Sequence, residues 1–144
     1  MDKKKCEELV ISYGELLESN CFTPETVAAV LADDAFAILP HAGEGKGIME
    51  LVGKHCEMMG PFTGATHNIT NIVITPVGDN DVKATWHMEV VHQFRPEIAQ
   101  NLPGDLFIVN DLVSADLAKQ GDTWKISRLS MDTKFKYFIS SARD

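Results

Sequence analysis

Two histidines stand where this sequence otherwise places apolar side chains. Residues 82 to 95 read V-K-A-T-W-H-M-E-V-V-H-Q-F-R, a strict alternation. Side chains of a strand repeat every second residue, so Val82, Ala84, Trp86, Met88, Val90, His92 and Phe94 share one face. The opposite face carries Lys83, Thr85, His87, Glu89, Val91, Gln93 and Arg95 and meets water for the most part. His92 is the one polar side chain on the interior face. His67 begins the run H-N-I-T-N-I-V-I-T, and P-V-G-D-N-D between the two segments supplies the turn residues of a hairpin. This pattern predicts that His67 opens the first strand and lies beside His92, on neighbouring strands and towards the same end. An imidazole titrates near neutrality, so such a pair at the mouth of an apolar concave sheet is suited to moving protons to and from carbon. The competing reading is structural: one buried imidazole bonded to backbone, and one histidine capping a strand at the surface.

Holding that pair in place requires a layer against the sheet. Cys6, Leu9, Val10, Tyr13, Leu16 and Leu17 recur at helical spacing and predict an amphipathic helix over residues 3–18, with Glu18 at its end and close to the apolar stripe. Thr23-Pro24 starts a second, short helix, Thr23 as its cap and Pro24 at its first position. Asp33-Asp34 reads as a turn into a strand from Ala35 to Leu39, and P-H-A-G-E-G-K-G as a flexible loop carrying His41. A third helix spans Ile48 to Met59, with Leu51, Val52, His55, Met58 and Met59 along one side; His55 on such a stripe reads first as core. Pro96 and Pro103 mark a polar connector after the hairpin. A strand from Leu106 to Lys119 follows, with Phe107, Val109, Asp111, Val113, Ala115 and Leu117 on one face and Asp111 the only charge there. Trp124 to Leu129 alternates imperfectly, which predicts a bulge, and the tail K-F-K-Y-F-I-S-S-A-R-D reads as a short strand or a frayed helix. Helices first and a long antiparallel meander afterwards is an α+β layout: a cone-shaped barrel of curved antiparallel sheet wrapped on three N-terminal helices, with a pocket at its wide end.

A length of 144 residues fits a single domain over residues 1–144 that buries a core without staples. The net charge of −8 speaks against nucleic acid, which demands a clustered basic face, and against anionic membrane surfaces; the only basic run is Lys3-Lys4-Lys5. No apolar run reaches the length of a membrane span, and the charged start leads into no signal-peptide core. Cys6, Cys21 and Cys56 are odd in number and follow no metal-ligand spacing, so free thiols and a cytoplasmic location are expected. Five scattered histidines predict no metal site, and no cofactor is expected. The partner class left is a neutral or weakly polar small molecule, and a pocket lined by Trp86, Met88, Val90 and Phe94 suits a small hydrophobic or cyclic one.

H-N-I-T-N-I-V-I, the acidic turn, the long alternating strand and G-D-T-W-K-I-S-R-L near the end together resemble the SnoaL-like group of the nuclear transport factor 2-like superfamily, over nearly the whole chain. Within that group the sequence is most similar to scytalone dehydratase, which has a histidine opening the equivalent strand and a second one in a context matched here by V-V-H-Q-F-R. That enzyme and lindane dehydrochlorinase place an aspartate at the end of the first helix against the first histidine; the matching position here is Glu18 in L-L-E-S-N. The pattern also departs from the dehydratase, with Leu17 and Leu39 where it has two tyrosines, and Val113 near its pocket asparagine.

The resemblance implies a dehydratase-like lyase or an isomerase acting on a cyclic ketone or polyketide-like compound. In that reading His67 is the base, Glu18 fixes its tautomer and stabilises the imidazolium, and His92 donates to a departing hydroxyl or an enolate oxygen. Trp86, Met88, Val90 and Phe94 line the pocket, and Asp111 orients His92 or serves as a second acid. A small-apolar-ligand binding protein without chemistry is the alternative on the same fold. A homo-oligomer, dimer or trimer, is expected through the outer sheet face, where Val91 interrupts the polar side chains.

Overall fold

The computed structural model describes residues 2–141. Helix α1 (Lys3–Ser19) buries the predicted stripe and stops at Asn20, whose φ of 50° is the left-handed turn that asparagine tolerates. Helix α2 (Pro24–Ala28) is short because it is all cap: Thr23 Oγ1 accepts from Thr26 N–H, while Thr26 Oγ1 accepts from Thr23 N–H. Strand β1 (Leu31–Leu39), strand β2 (Gly43–Lys46) and helix α3 (Ile48–Met59) complete the first half. Strands β3 (Phe62–Pro76) and β4 (Asp81–Phe94), a four-residue helix α4 (Pro96–Ala99), and strands β5 (Leu106–Gln120) and β6 (Thr123–Ile139) form the second.

The six strands make one sheet in the order β2-β1-β6-β5-β4-β3, an α+β arrangement whose curved sheet does not close. Helix α1 lies against β3 and β6, and α3 against β1 and β2. The approach of α1 to β3 is close enough that a Cβ on Gly14 would stand 2.6 Å from Ile69 Cδ1. Irregularities supply the curvature: β3 shifts register between Thr70 and Val73 around Asn71, whose φ is 55°. The alternation in β4 is realised as read, with all seven side chains of its apolar face buried.

Several local expectations change. Asp33-Asp34 lies inside β1 at a register shift, not in a turn, and leaves both side chains exposed. The glycine-bearing segment after Leu39 is not a plain loop, because Gly43–Leu39 and Lys46–Phe36 pair β2 antiparallel to β1. The sheet is not antiparallel throughout, since β1 runs parallel to β6. His67 does not open its strand; β3 begins five residues earlier at Phe62. The tail is strand as far as Ile139, and its residues 142–144 lie outside the described residues. Among the described residues no helix is long and apolar enough to cross a membrane.

Candidate active site

Register along β3, β4, β5 and β6 sorts the inward side chains into rows. Ala65, His92, Phe107 and Phe138 form one; His67, Val90, Val109 and Lys136 the next; Ile69, Met88, Asp111 and Thr133 the third. Since the sheet curls, these rows wrap a cavity of about 370 Å³ that Leu17, Met58 and Met59 cover from the helices. Its wall is apolar apart from His67, His92, Asp111, Thr133, Lys136 and His41, the last on a residue with φ 70° in the turn after β1.

The His67 side chain is only 3% exposed, and its ring stands edge-on to that of His92 with centroids 6.5 Å apart. β3 is one of the two edges of the sheet, and an edge strand carries backbone groups without ladder partners. Glu18 answers one of them: its Oε1 accepts from the His67 backbone N–H at 2.6 Å. The same oxygen lies 3.8 Å from His67 Nδ1, a buried nitrogen with no hydrogen bond. The carboxylate, whose side chain is 41% exposed, therefore holds the strand by hydrogen bond and the ring by charge. An N–H at Nδ1 is the tautomer that this charge favours, and it leaves the Nε2 lone pair for the cavity.

His92 is fixed differently. Its Nδ1 stands 3.0 Å from Phe107 O, and a carbonyl only accepts, so Nδ1 carries the hydrogen and Nε2 of the neutral ring is an acceptor. Phe62 stacks on the ring at 4.2 Å between centroids. The sequence reading gave His92 a donor's role; in this tautomer it fills that role only after taking a proton. Burial pushes the His67 pKa down to about 4, with His92 adding to the drop and Glu18 opposing it. Burial also lowers the His92 pKa, against the pull of the Phe107 carbonyl. Both imidazoles are thus neutral near pH 7, the form in which an imidazole accepts protons.

Asp111 is 6% exposed on the third row, where Thr133 Oγ1 donates to its Oδ1 at 2.7 Å. Burial raises its carboxyl pKa, the Thr133 bond opposes this, and Asp132 adds to the rise. A bond from Asp111 to His92 is not formed; each has a different partner.

The structure brings His67, His92, Met88, Val90, Phe94 and Asp111 to one cavity. Glu18 stands behind His67, not in the wall. Trp86 is a correction: fully buried, it packs in the core away from the cavity, because its row lies beyond that of Met88. Leu17 lines the cavity, while Leu39 and Val113 are core. His55 is structural, with Nδ1 donating to Leu51 O and Nε2 accepting from the Tyr13 hydroxyl at 2.7 Å. Thr133 and Lys136 were not foreseen. A register shift between the pairs Asn110–Phe135 and Asp111–Thr133 leaves Lys134 extra on β6, and that bulge changes which residues face inward. Among the described residues no group of three or more His, Cys, Asp or Glu side chains is placed to hold a metal ion.

Known structures share this architecture. The Kfla4162 protein from Kribbella flavida superposes with a TM-score of 0.83 at 18% identity, covering 94% of this chain and 93% of its own. A hexachlorocyclohexane dehydrochlorinase of the LinA type from Novosphingobium barchaimii does so with 0.81 at 12% identity, over 99% of this chain and 93% of that one. A proposed scytalone dehydratase from Novosphingobium aromaticivorans follows with 0.79 at 17%, over 98% and 89%. No curated protein sequence matches. At these identities the likeness is one of fold. The sequence model of the SnoaL-like domain matches residues 1–130, and the chain belongs to the SnoaL-like domain family.

Proposed function

We propose that the protein is a cofactor-free lyase or isomerase that moves protons on a small cyclic ketone or polyketide-like compound. One observation carries the reading: Glu18 Oε1 reaches both the backbone N–H and the ring Nδ1 of His67, at 2.6 and 3.8 Å, on the wall of an apolar cavity that also holds His92. His67 Nε2 takes a proton from the carbon beside the carbonyl, and Glu18 stabilises the imidazolium that forms. In an isomerisation the same proton returns to another carbon. In an elimination the carbon–oxygen bond breaks instead, and the departing hydroxide leaves as water with the proton that His67 took from carbon. Neutral His92 accepts a hydrogen bond from a substrate hydroxyl and so orients the ligand. The likeness to proteins described as a dehydrochlorinase and a proposed scytalone dehydratase supports the class of chemistry.

A non-catalytic apolar-ligand protein is the second reading, favoured by the 3.8 Å between Glu18 Oε1 and His67 Nδ1, too long for a hydrogen bond. The two separate in a screen of cyclic ketones for deuterium uptake from heavy water, run on the wild type and His67→Ala. Enzyme-dependent exchange lost in the variant is expected. Exchange that the substitution leaves untouched removes His67 as the base, and no exchange with ketones that demonstrably bind favours the second reading.

A further inference from the structure

We propose that Asp111, anchored by Thr133, is the specificity residue of the cavity and receives a hydroxyl hydrogen from the ligand, so that the preferred substrate is a hydroxylated ring compound. This rests on the cavity being the substrate site proposed above. Asp111 is 6% exposed, and Thr133 Oγ1 occupies its Oδ1. Among the described residues no protein donor is placed on the other oxygen. An ionised carboxyl offers about four acceptor positions and is costly to bury with most of them empty. Met88, its partner across the ladder, has no hydrogen to give. A ligand hydroxyl entering the cavity supplies one.

The bulge at Lys134 makes this a built site. It is what sets Thr133 against Asp111; with regular pairing the strand would present Lys134 there and turn Thr133 outward. Position then fixes the ligand. Asp111 pairs with Met88, and His67 with Val90, two residues further along β4. Those two residues of strand span about 7 Å, and β5 and β3 flank β4 on opposite sides, which adds about 10 Å across the sheet. The hydroxyl held by Asp111 therefore sits at the far side of the ligand from the carbon that gives its proton to His67.

Binding, not turnover, tests this. The probes are a naphthol and the matching fluoronaphthalene, equal in shape, of which only the first has a hydrogen to donate. The wild type should bind the naphthol tighter by roughly tenfold or more, the value of one hydrogen bond to a charged group. Asp111→Ala should bring the two probes close to equal, and Thr133→Val should narrow the gap while keeping the carboxyl. His67→Gln should leave the gap intact. Should Asp111→Ala fail to fold, the wild-type gap and its narrowing in Thr133→Val decide. Equal affinities in the wild type, no binding of either probe, or a gap that survives Asp111→Ala overturns the assignment. Failure of the proton-transfer reading looks different: deuterium exchange unaffected by His67→Ala, with the hydroxyl preference still present.

Discussion

Glu18 Oε1 lies 2.6 Å from the backbone nitrogen of His67 and 3.8 Å from its Nδ1, so one carboxylate oxygen serves both the strand and the ring. The two jobs come apart on substitution. Glu18→Gln keeps an acceptor for the backbone N–H and removes the charge beside the ring. Its stability should stay within about 0.5 kcal/mol of wild type, while the exchange rate falls roughly tenfold or more. Glu18→Ala loses the hydrogen bond as well and should cost about 1 kcal/mol further. Urea unfolding and exchange rates measured on both variants check this; a fully active Glu18→Gln would make the carboxylate a purely structural brace.

Acid should unfold this protein through its histidines. His67, His92 and His55 have folded pKa values below the ordinary 6.5, chiefly because burial penalises the charged ring. Below pH 6.5 the unfolded chain takes up protons that the folded one refuses, so stability falls as pH falls. For His67 the loss runs from 6.5 down to about 4 and reaches about 3 kcal/mol. Glu18 and His92 face its ring and act in opposite directions. Asp111 works against the trend, since its raised pKa makes the folded state bind a proton more readily above 3.8. Urea midpoints between pH 7 and 4.5 should show a slope that His67→Gln reduces; an unchanged slope would contradict a depressed His67.

Trp86 is fully buried, yet its Nε1 has no hydrogen-bond partner. Trp86→Phe removes that unsatisfied donor, worth about 1–3 kcal/mol, but leaves a smaller ring in the same space. These effects should nearly cancel, to within about 1 kcal/mol, whereas Trp86→Ala should cost about 3–5 kcal/mol. Exchange activity should persist in Trp86→Phe, because the residue lies outside the cavity. A loss above about 3 kcal/mol in Trp86→Phe would mean that shape outweighs the unmet hydrogen bond.

The alternation of β4 could be read in the residues because face is a matter of parity, and parity is local. Val90, His92 and Phe94 point inward whatever the rest of the chain does. Row is not local: it depends on register with partners far away. Trp86 shares the face of Met88 but stands two residues further from His92, and only the packing of helices above it decides that the cavity ends before it. Parity itself fails at a bulge, which is why K-F-K-Y-F concealed that Lys136 and Phe138 face inward while Phe135 and Tyr137 face out. The parallel pairing of β1 with β6 joins segments about a hundred residues apart, beyond any local pattern. Glu18 was reached through family resemblance, and its bond to a backbone N–H exists only because β3 is an edge strand.

Proton abstraction by His67 requires a neutral imidazole that keeps a lone pair at Nε2 for the cavity. Nitrogen-15 NMR of labelled protein, following long-range couplings of the His67 ring from pH 8 to 4, reads this without knowledge of the substrate. The expected result is a hydrogen on Nδ1, an unprotonated Nε2, and no protonation until pH approaches about 4. A hydrogen on Nε2, or a ring that titrates at the ordinary 6.5, would contradict it.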